Sequence, residues 1–425
     1  MKILIVSHNC FSSSSNMGKT LNYYFSSFGR DNIAQLYFYA EHPDSNDVCD
    51  NYYRFTDFDA IKSIFLRGKY GNKVTPKPSN GNRVDSERER KIYSIAKQKT
   101  AIKYLFRDFI WFLSCWNTKR FKLWLDDFSP DLVFFSSGDS AFSYRIARKI
   151  AKRCSAPLVV SCVDDYYFYN NCRGSFLANI RQKIFFRQVR RCMSYSSGVV
   201  CLTKRMASDY SKLFNRPTLF YRHYSATTNL KINNRQGIVY IGNLSLDRWK
   251  NIIKIGKCLN EMNINDSLNH IDVYSAVNDD SIISALNEAV GVDFKGKIPP
   301  SKVREILSLS EYAVHTESWD YIDRTKYSFS TKILETISLG TCLIAYGPSN
   351  ISSIEELSSS GFAYVIDQKE CLKLKLEQLF QQKSISETIT NKVYRSFKDG
   401  ILFSDERVFI NWLNDILDNY KSKVN

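Results

Sequence analysis

Tyr327-Ser328-Phe329-Ser330-Thr331-Lys332-Ile333-Leu334-Glu335-Thr336-Ile337-Ser338-Leu339-Gly340-Thr341-Cys342-Leu343-Ile344-Ala345-Tyr346-Gly347 contains a polar loop, a short helix and an apolar run. The helix opens near Ser330 or Thr331, where a hydroxyl can accept from the first free backbone N–H groups, and stops at Gly340. The run that follows has no polar alternation, as a strand covered on both faces requires. A helix feeding such a strand predicts a parallel sheet, the α/β class.

The same alternation extends outward in both directions. On the C-terminal side it gives strands at 237–241, 271–274, 292–294, 312–315, 342–345 and 363–366. On the N-terminal side it gives 2–7, 33–39, 131–136, 157–163, 198–202 and 218–221, with helices between, for example over 141–152 and 176–193. A polar stretch at 225–236 separates the two series. The chain of 425 residues suits two cores better than one. We therefore expect two doubly wound domains, 1–226 and 237–400, facing each other across a cleft at the carboxyl ends of their strands. A last helix within 401–425 could cap either domain, a crossing back to the first being one option. Residues 67–100, polar and without a clear period, are expected to be an insertion.

Composition narrows the setting. Hydrophobic content of 44% and charged content of 24% are those of a globular chain. The N-terminus enters a strand directly, with no apolar leader, and no run approaches the length of a membrane span. Eleven cysteines without a C-x-x-C pair point to a reduced cytoplasm, and five histidines give no zinc signature, so no metal is expected. The net charge of +16 is concentrated: residues 67–104 carry eleven Lys/Arg against three acids, and residues 140–192 eleven against Asp164 and Asp165. Such a field attracts polyanions or an anionic membrane surface. The segments 102–124 and 176–191 mix aromatics with cations and could rest on lipid, or their apolar faces could be core.

The chemistry-bearing positions cluster near strand ends. Ser330 and Thr331 with Lys332 form a helix start suited to a diphosphate, and Glu335, one turn on, could accept both hydroxyls of a ribose. An ordinary capped helix with a surface Lys and Glu fits those residues equally well. Val239-Tyr240-Ile241-Gly242-Asn243-Leu244-Ser245-Leu246-Asp247-Arg248-Trp249-Lys250 is a strand, a glycine turn and a helix entry with two cations. Asp164 and Asp165 end a buried strand, where a carboxylate could orient or deprotonate a hydroxyl, or simply be capped or ion-paired. Asp57-Phe58-Asp59 is a D-x-D of the kind sometimes seen at metal sites, though such pairs are common by chance. Gly18-Lys19-Thr20 lacks the earlier glycine of a P-loop; that position is Ser13.

The stretch around Lys332 and Glu335 resembles the donor-site signature of retaining GT-B glycosyltransferases of the GT4 kind, found among enzymes of bacterial surface-polysaccharide synthesis. The resemblance covers about 237–367. It implies a nucleoside-diphosphate sugar as donor substrate, no separate cofactor, and a glycan or lipid-linked acceptor, with nucleic acid not expected as a partner. It makes Glu335 the ribose carboxylate with Lys332 and Thr331 beside the donor, and Arg248 and Lys250 phosphate ligands. Asn350 falls where the family offers backbone amides to phosphate. The loop holding Asn16, Gly18 and Lys19 would face the acceptor and donor sugar. The family's commoner pattern has a second glutamate eight residues before Glu335; here Tyr327 stands there, and Glu317 is a candidate substitute. The expected enzyme is a hexosyltransferase-like, metal-independent, cytoplasmic protein that could sit peripherally on the membrane. A sugar-nucleotide epimerase on the same fold and a non-enzymatic polyanion-binding protein are the rival readings.

Overall fold

The computed structural model describes residues 1–425 apart from 13–15, 45–47, 67, 77–99, 169–174, 223–234, 263–266, 399–404 and 425. The chain divides into two compact units, Met1–His223 with Asp405–Asn425, and Tyr224–Ser404. Most of the polar stretch 225–236 lies outside the described residues.

In the first unit the strands are β1 (Ile3–Ser7), β2 (Ile33–Tyr37), β3 (Asn51–Arg54), β4 (Asn72–Val74), β5 (Leu132–Ser136), β6 (Leu158–Cys162), β7 (Gly198–Cys201) and β8 (Thr218–Phe220). Their order is β4-β3-β2-β1-β5-β6-β7-β8. Every pair is parallel except β3 with β4. The six expected strands are present, each ending within two residues of its expected bounds. Strands β3 and β4, the outer two on one side of the sheet, were not anticipated. β3 is four residues flanked by Asn51 and Arg54, and β4 is three residues starting Asn-Lys, so neither shows the apolar run that marks a covered strand. β4 also falls inside the expected insertion; residues 77–99 of that segment lie outside the described residues.

The D-x-D pair is not a loop. Asp57 opens helix Asp57–Phe65, and Asp59 closes a capping box with Thr56, accepting from the Thr56 backbone N–H at 2.8 Å. Asp57 accepts from Arg107 Nε at 2.8 Å and from Trp111 Nε1 at 2.6 Å. Both carboxylates are engaged within the fold.

Helix Glu406–Val424 belongs to the first unit, because its apolar stripe completes that core. Phe409, Leu413 and Ile416 are buried with Phe25, Phe134 and Tyr221. The Phe409 ring stacks on Tyr221 with centroids 4.5 Å apart. Trp412 packs so tightly on β7 that a Cβ at Gly198 would come within 2.6 Å of its ring.

In the second unit the strands are β9 (Ile238–Ile241), β10 (Ile271–Tyr274), β11 (Val292–Gly296), β12 (Tyr312–Thr316), β13 (Cys342–Tyr346) and β14 (Tyr364–Ile366). They run in the order β11-β10-β9-β12-β13-β14, all parallel. Side-chain alternation splits β9, β12 and β13 between two cores. Ile238 and Tyr240 pack with Ile252 and Leu259 of helix Arg248–Glu261 on one face. Val239 packs with Ile333 and Ile337 of helix Thr331–Ser338 on the other. Covered faces on both sides explain the continuous apolar runs of β9 and β13, whereas β10 and β11, toward one edge, carry Asp272, Asp293 and Lys295.

Both sheets reverse their winding once. In the first the switch lies between β1 and β5, in the second between β9 and β12. The carboxyl ends of the strands flanking such a point diverge and leave a crevice, the place where ligands bind in open α/β sheets.

Candidate functional site

The crevice of the second unit is built from three chain segments. After β9 the chain turns through Gly242–Asp247 into helix Arg248–Glu261. Asn243 Oδ1 accepts from Ser245 N–H at 2.9 Å, Leu244 is buried, and Leu246 and Asp247 take the left-handed conformation at φ 58° and 59°. Two consecutive left-handed residues turn the chain sharply enough to set Arg248 on the first helical position. Its guanidinium donates from Nε (3.1 Å) and Nη2 (2.7 Å) to Glu317 Oε2.

Glu317 follows β12 directly and is 1% exposed; the Arg248 side chain is 15% exposed. Its backbone is pinned by Asn251, whose amide donates to Thr316 Oγ1 and to the Glu317 carbonyl. Gly347, after β13, approaches so closely that a Cβ there would lie 3.0 Å from that carbonyl. The second carboxylate oxygen accepts from Ser328 at 3.2 Å. Burial pushes the Glu317 carboxyl above its ordinary range, and Arg248 opposes that push. His315, buried beside it, is driven down to about 3 by burial and by the Arg248 charge, so its imidazole is neutral. It shares a hydrogen bond of 3.0 Å with Ser353. The Arg248–Glu317 pair thus spans the β9/β12 switch point in a low-dielectric pocket.

The third segment holds helix Thr331–Ser338 and the residues on either side of it. Ser330 caps helix Thr331–Ser338, accepting from Lys332 N–H at 3.2 Å, and Gly340 ends it at φ 69°. Lys332 donates to Glu335 at 3.0 Å. Glu335 is buried and not a surface residue, which separates it from an ordinary solvated helix face. Thr331 is exposed beside it, and Asn350 is exposed in the loop after β13. Lys250 is half-exposed and ion-paired with Asp247 at 2.8 Å, which raises its pKa. Tyr327, where a glutamate was expected, is buried, with its hydroxyl accepting from Lys326 at 3.2 Å. Glu317 is not a free carboxylate: Oε2 accepts from Arg248 and Oε1 from Ser328.

At the β1/β5 switch point the first unit carries a second polar cluster. Arg107 donates to Asp57 and to Ser140 (2.9 Å), and its Nη2 lies 2.9 Å from His8 Nε2. A guanidinium only donates, so His8 accepts there as a neutral ring. The Tyr104 hydroxyl donates to Asp139 at 2.5 Å, and Arg181 donates to the Asp139 carbonyl at 3.0 Å. His8, Arg107 and Asp139 were not expected from the sequence; the available signal was that His8 directly follows β1 and Asp139 lies three residues past β5. Asp164 and Asp165 follow β6. Asp165 accepts from the backbone N–H groups of Tyr167 and Phe168, a turn-holding role. Asp164 is exposed and accepts from the Tyr166 hydroxyl at 3.2 Å.

Gly18 and Lys19 lie inside helix Asn16–Phe25, not in a loop. A Cβ on Gly18 would meet the Cys10 carbonyl at 2.5 Å, so this glycine is required for close packing of the helix on the preceding chain. Nothing in the described residues shows the side chain of Asn16. Among the described residues one group of potential metal ligands comes together, His270, Asp272 and Asp293, and Lys295 ion-pairs with both of its carboxylates.

Comparison with solved structures identifies the architecture. An α,α-trehalose-phosphate synthase (UDP-forming) from Burkholderia xenovorans is matched at a TM-score of 0.59 over 98% of this chain and 100% of that one, with 6% identity. The chain has the GT-B fold. WaaG, a glycosyltransferase involved in lipopolysaccharide biosynthesis, is similar at 0.53, with 10% identity over 95% of this chain and 97% of that one. S. aureus TarM, solved with UDP and α-GlcNAc-glycerol, is similar at 0.51 with 12% identity; the alignment covers 69% of this chain and 57% of TarM. No family model and no curated protein sequence matches the chain.

Proposed function

We propose that this chain is a glycosyltransferase that takes a sugar from a nucleoside-diphosphate sugar and passes it to a hydroxyl of a glycan or lipid-linked acceptor. The observation that carries the reading is the buried Arg248–Glu317 pair across the β9/β12 switch point. An arginine has five N–H donors, and Glu317 uses Nε and Nη2, so Arg248 keeps donor capacity for a phosphate oxygen while its carboxylate partner fixes its direction. Lys332 supplies the second cation, and Glu335, buried next to it, presents a carboxylate to ribose hydroxyls. Thr331, Lys250 and Asn350 complete the donor set at the rim. In this role the protein compensates the charge that grows on the departing nucleoside diphosphate and holds the sugar in place. UDP-sugars are the first donors to test, since UDP occupies the similar structure of TarM.

The finer assignments follow the donor-motif resemblance: hexosyl transfer of the GT4 kind with retention, independent of a metal ion, in cytoplasmic surface-polysaccharide synthesis. On the acceptor side Asp164 is the better placed of the two strand-end acids, because Asp165 is engaged by backbone. His8 and Asp139 join it as acceptor-facing groups. Asn16, Gly18 and Lys19 would act through the position of their helix.

A thermal-shift panel of nucleoside diphosphates and their sugars tests the donor site. Wild type should be stabilised by one nucleotide series and Glu335→Ala should not. A wild-type protein indifferent to every nucleotide would end the reading.

A further inference from the structure

Strands β10 and β11, at one side of the second sheet, leave the apolar pattern of their neighbours at Asp272 and Asp293. Ile271 and Val273 pack into the core under helix Arg248–Glu261, so Asp272, one residue out of phase, lies on the opposite face. Parallel pairing sets Asp272 directly beside Asp293. His270, two residues before Asp272, falls on that same face. Two carboxylates side by side in a sheet repel each other unless a cation joins them. One ligand atom from each of the three residues lies within 4.8 Å of the other two.

Two observations point to a cation held between these groups. The first is the His270 ring, whose Nδ1 lies 2.8 Å from the side-chain oxygen of Asn269. An amide oxygen only accepts, so Nδ1 carries the hydrogen and the neutral ring presents an Nε2 lone pair. That lone pair stands 3.7 Å from Asp272 Oδ1, one electron-rich atom against another. Ligand atoms about 2.1 Å from a shared tetrahedral ion lie roughly 3.4 Å apart, close to this spacing. The second is Asp272 Oδ1 itself, a buried atom that no hydrogen bond reaches among the described residues. Lys295 ion-pairs with it at 3.5 Å and also with Asp293. The chain thus places a cation of its own here, on an exposed side chain that can swing away.

We propose that His270, Asp272 and Asp293 bind a zinc ion that displaces Lys295 and ties β10 to β11. An imidazole nitrogen beside two carboxylates favours zinc over magnesium or calcium, which take oxygen ligands. Asn269 is the outer partner that fixes the ligating tautomer. The five histidines show no helical ligand spacing, but neighbouring strands supply ligands without it. His270 precedes β10, and Asp272 and Asp293 are the second residues of their strands, whereas the donor crevice lies at the carboxyl ends. The ion is therefore structural. No step of sugar transfer passes through it, and the inference stands apart from the nucleotide reading.

The test is calorimetric titration of the metal-free full chain with zinc chloride, paired with a cobalt(II) titration followed by visible absorption. Wild type should take up zinc at this site and melt at a higher temperature when loaded. His270→Ala and Asp293→Asn should each weaken that binding about tenfold or more, and Asn269→Ala about tenfold. Lys295→Ala should tighten it, because the competing ammonium is gone. These side chains lie at the surface, so the metal-free variants should keep the wild-type response to nucleotides. A wild type that takes up no zinc overturns the inference, even where Lys295→Ala binds it, and leaves an ion-pair network alone. Zinc binding unchanged in both His270→Ala and Asp293→Asn also overturns it. So does a cobalt spectrum dominated by thiolate charge transfer, which would move the ion to the cysteines.

Discussion

Glu317 was visible in the sequence as an acid after a strand and a candidate substitute for the glutamate replaced by Tyr327; its meaning comes from what reaches it. Removing one partner of a buried ion pair leaves a charge without compensation, which costs about 3–5 kcal/mol. Glu317→Ala should therefore lower the urea-unfolding free energy by that amount. Arg248→Met/Glu317→Leu should recover most of it, since an apolar pair of similar volume replaces the ions, yet should show no nucleotide-dependent stabilisation. A double variant no more stable than the single one would contradict the coupling. His315 makes a second test. Its native pKa of about 3 lies below the ordinary 6.5, so between these values the unfolded chain binds a proton that the native one does not. Stability from the neutral ring is present above 6.5 and is lost as pH falls toward 3, by up to about 1.4 kcal/mol per pH unit. Wild type minus His315→Gln, compared by urea unfolding across that range, should show this slope.

At the scale of elements, helix Thr331–Ser338 depends on its two ends. Eight residues are too few for a helix to stand on propensity alone, so the cap and the stop matter more than usual. Ser330→Ala should cost about 1 kcal/mol and weaken nucleotide stabilisation, because Lys332 and Glu335 are held by that first turn. Gly340→Val should cost more, since a β-branched residue is strained at φ 69°. These two ends were legible as residues, Ser or Thr before an apolar period and Gly after it. So were the covered strands, because burial on both faces forces a continuous apolar run. Strands β3 and β4 were not legible, since strands of four and three residues with polar ends carry no such run. The helical place of Asp57 and Gly18 was also missed. A capping carboxylate looks like a loop acid until the N–H groups it serves are located.

At the scale of the whole molecule, a core of the first unit is completed from the far end of the chain. Phe409→Ala should destabilise that unit by about 3–5 kcal/mol, read as a lower calorimetric transition. Gly198→Val should do the same from the opposite side, by driving a methyl into the Trp412 ring. The amphipathic period of 406–420 announced a docking helix without saying where it docks. Charge behaved similarly: the concentration of Lys and Arg in 140–192 was countable in the sequence. That Arg145 borders the exposed Phe109 and Phe112 of helix Ala101–Leu113 became visible only when two helices distant in sequence lay side by side.

The division between the two sources of knowledge has a physical basis. Local periodicity, capping residues and glycine positions are short-range properties, so the amino-acid order by itself determined the α/β class, the succession of the covered strands and a helix start near Ser330 or Thr331. The partner of Glu317, the burial of Glu335 beside Lys332 and the neutral state of His315 depend on strands whose sequence neighbours lie far apart. Sheet order decides which carboxyl ends meet at β9 and β12, and it is set by packing of both faces at once. Only the tertiary structure could therefore turn a strand-end glutamate into the residue that aims Arg248.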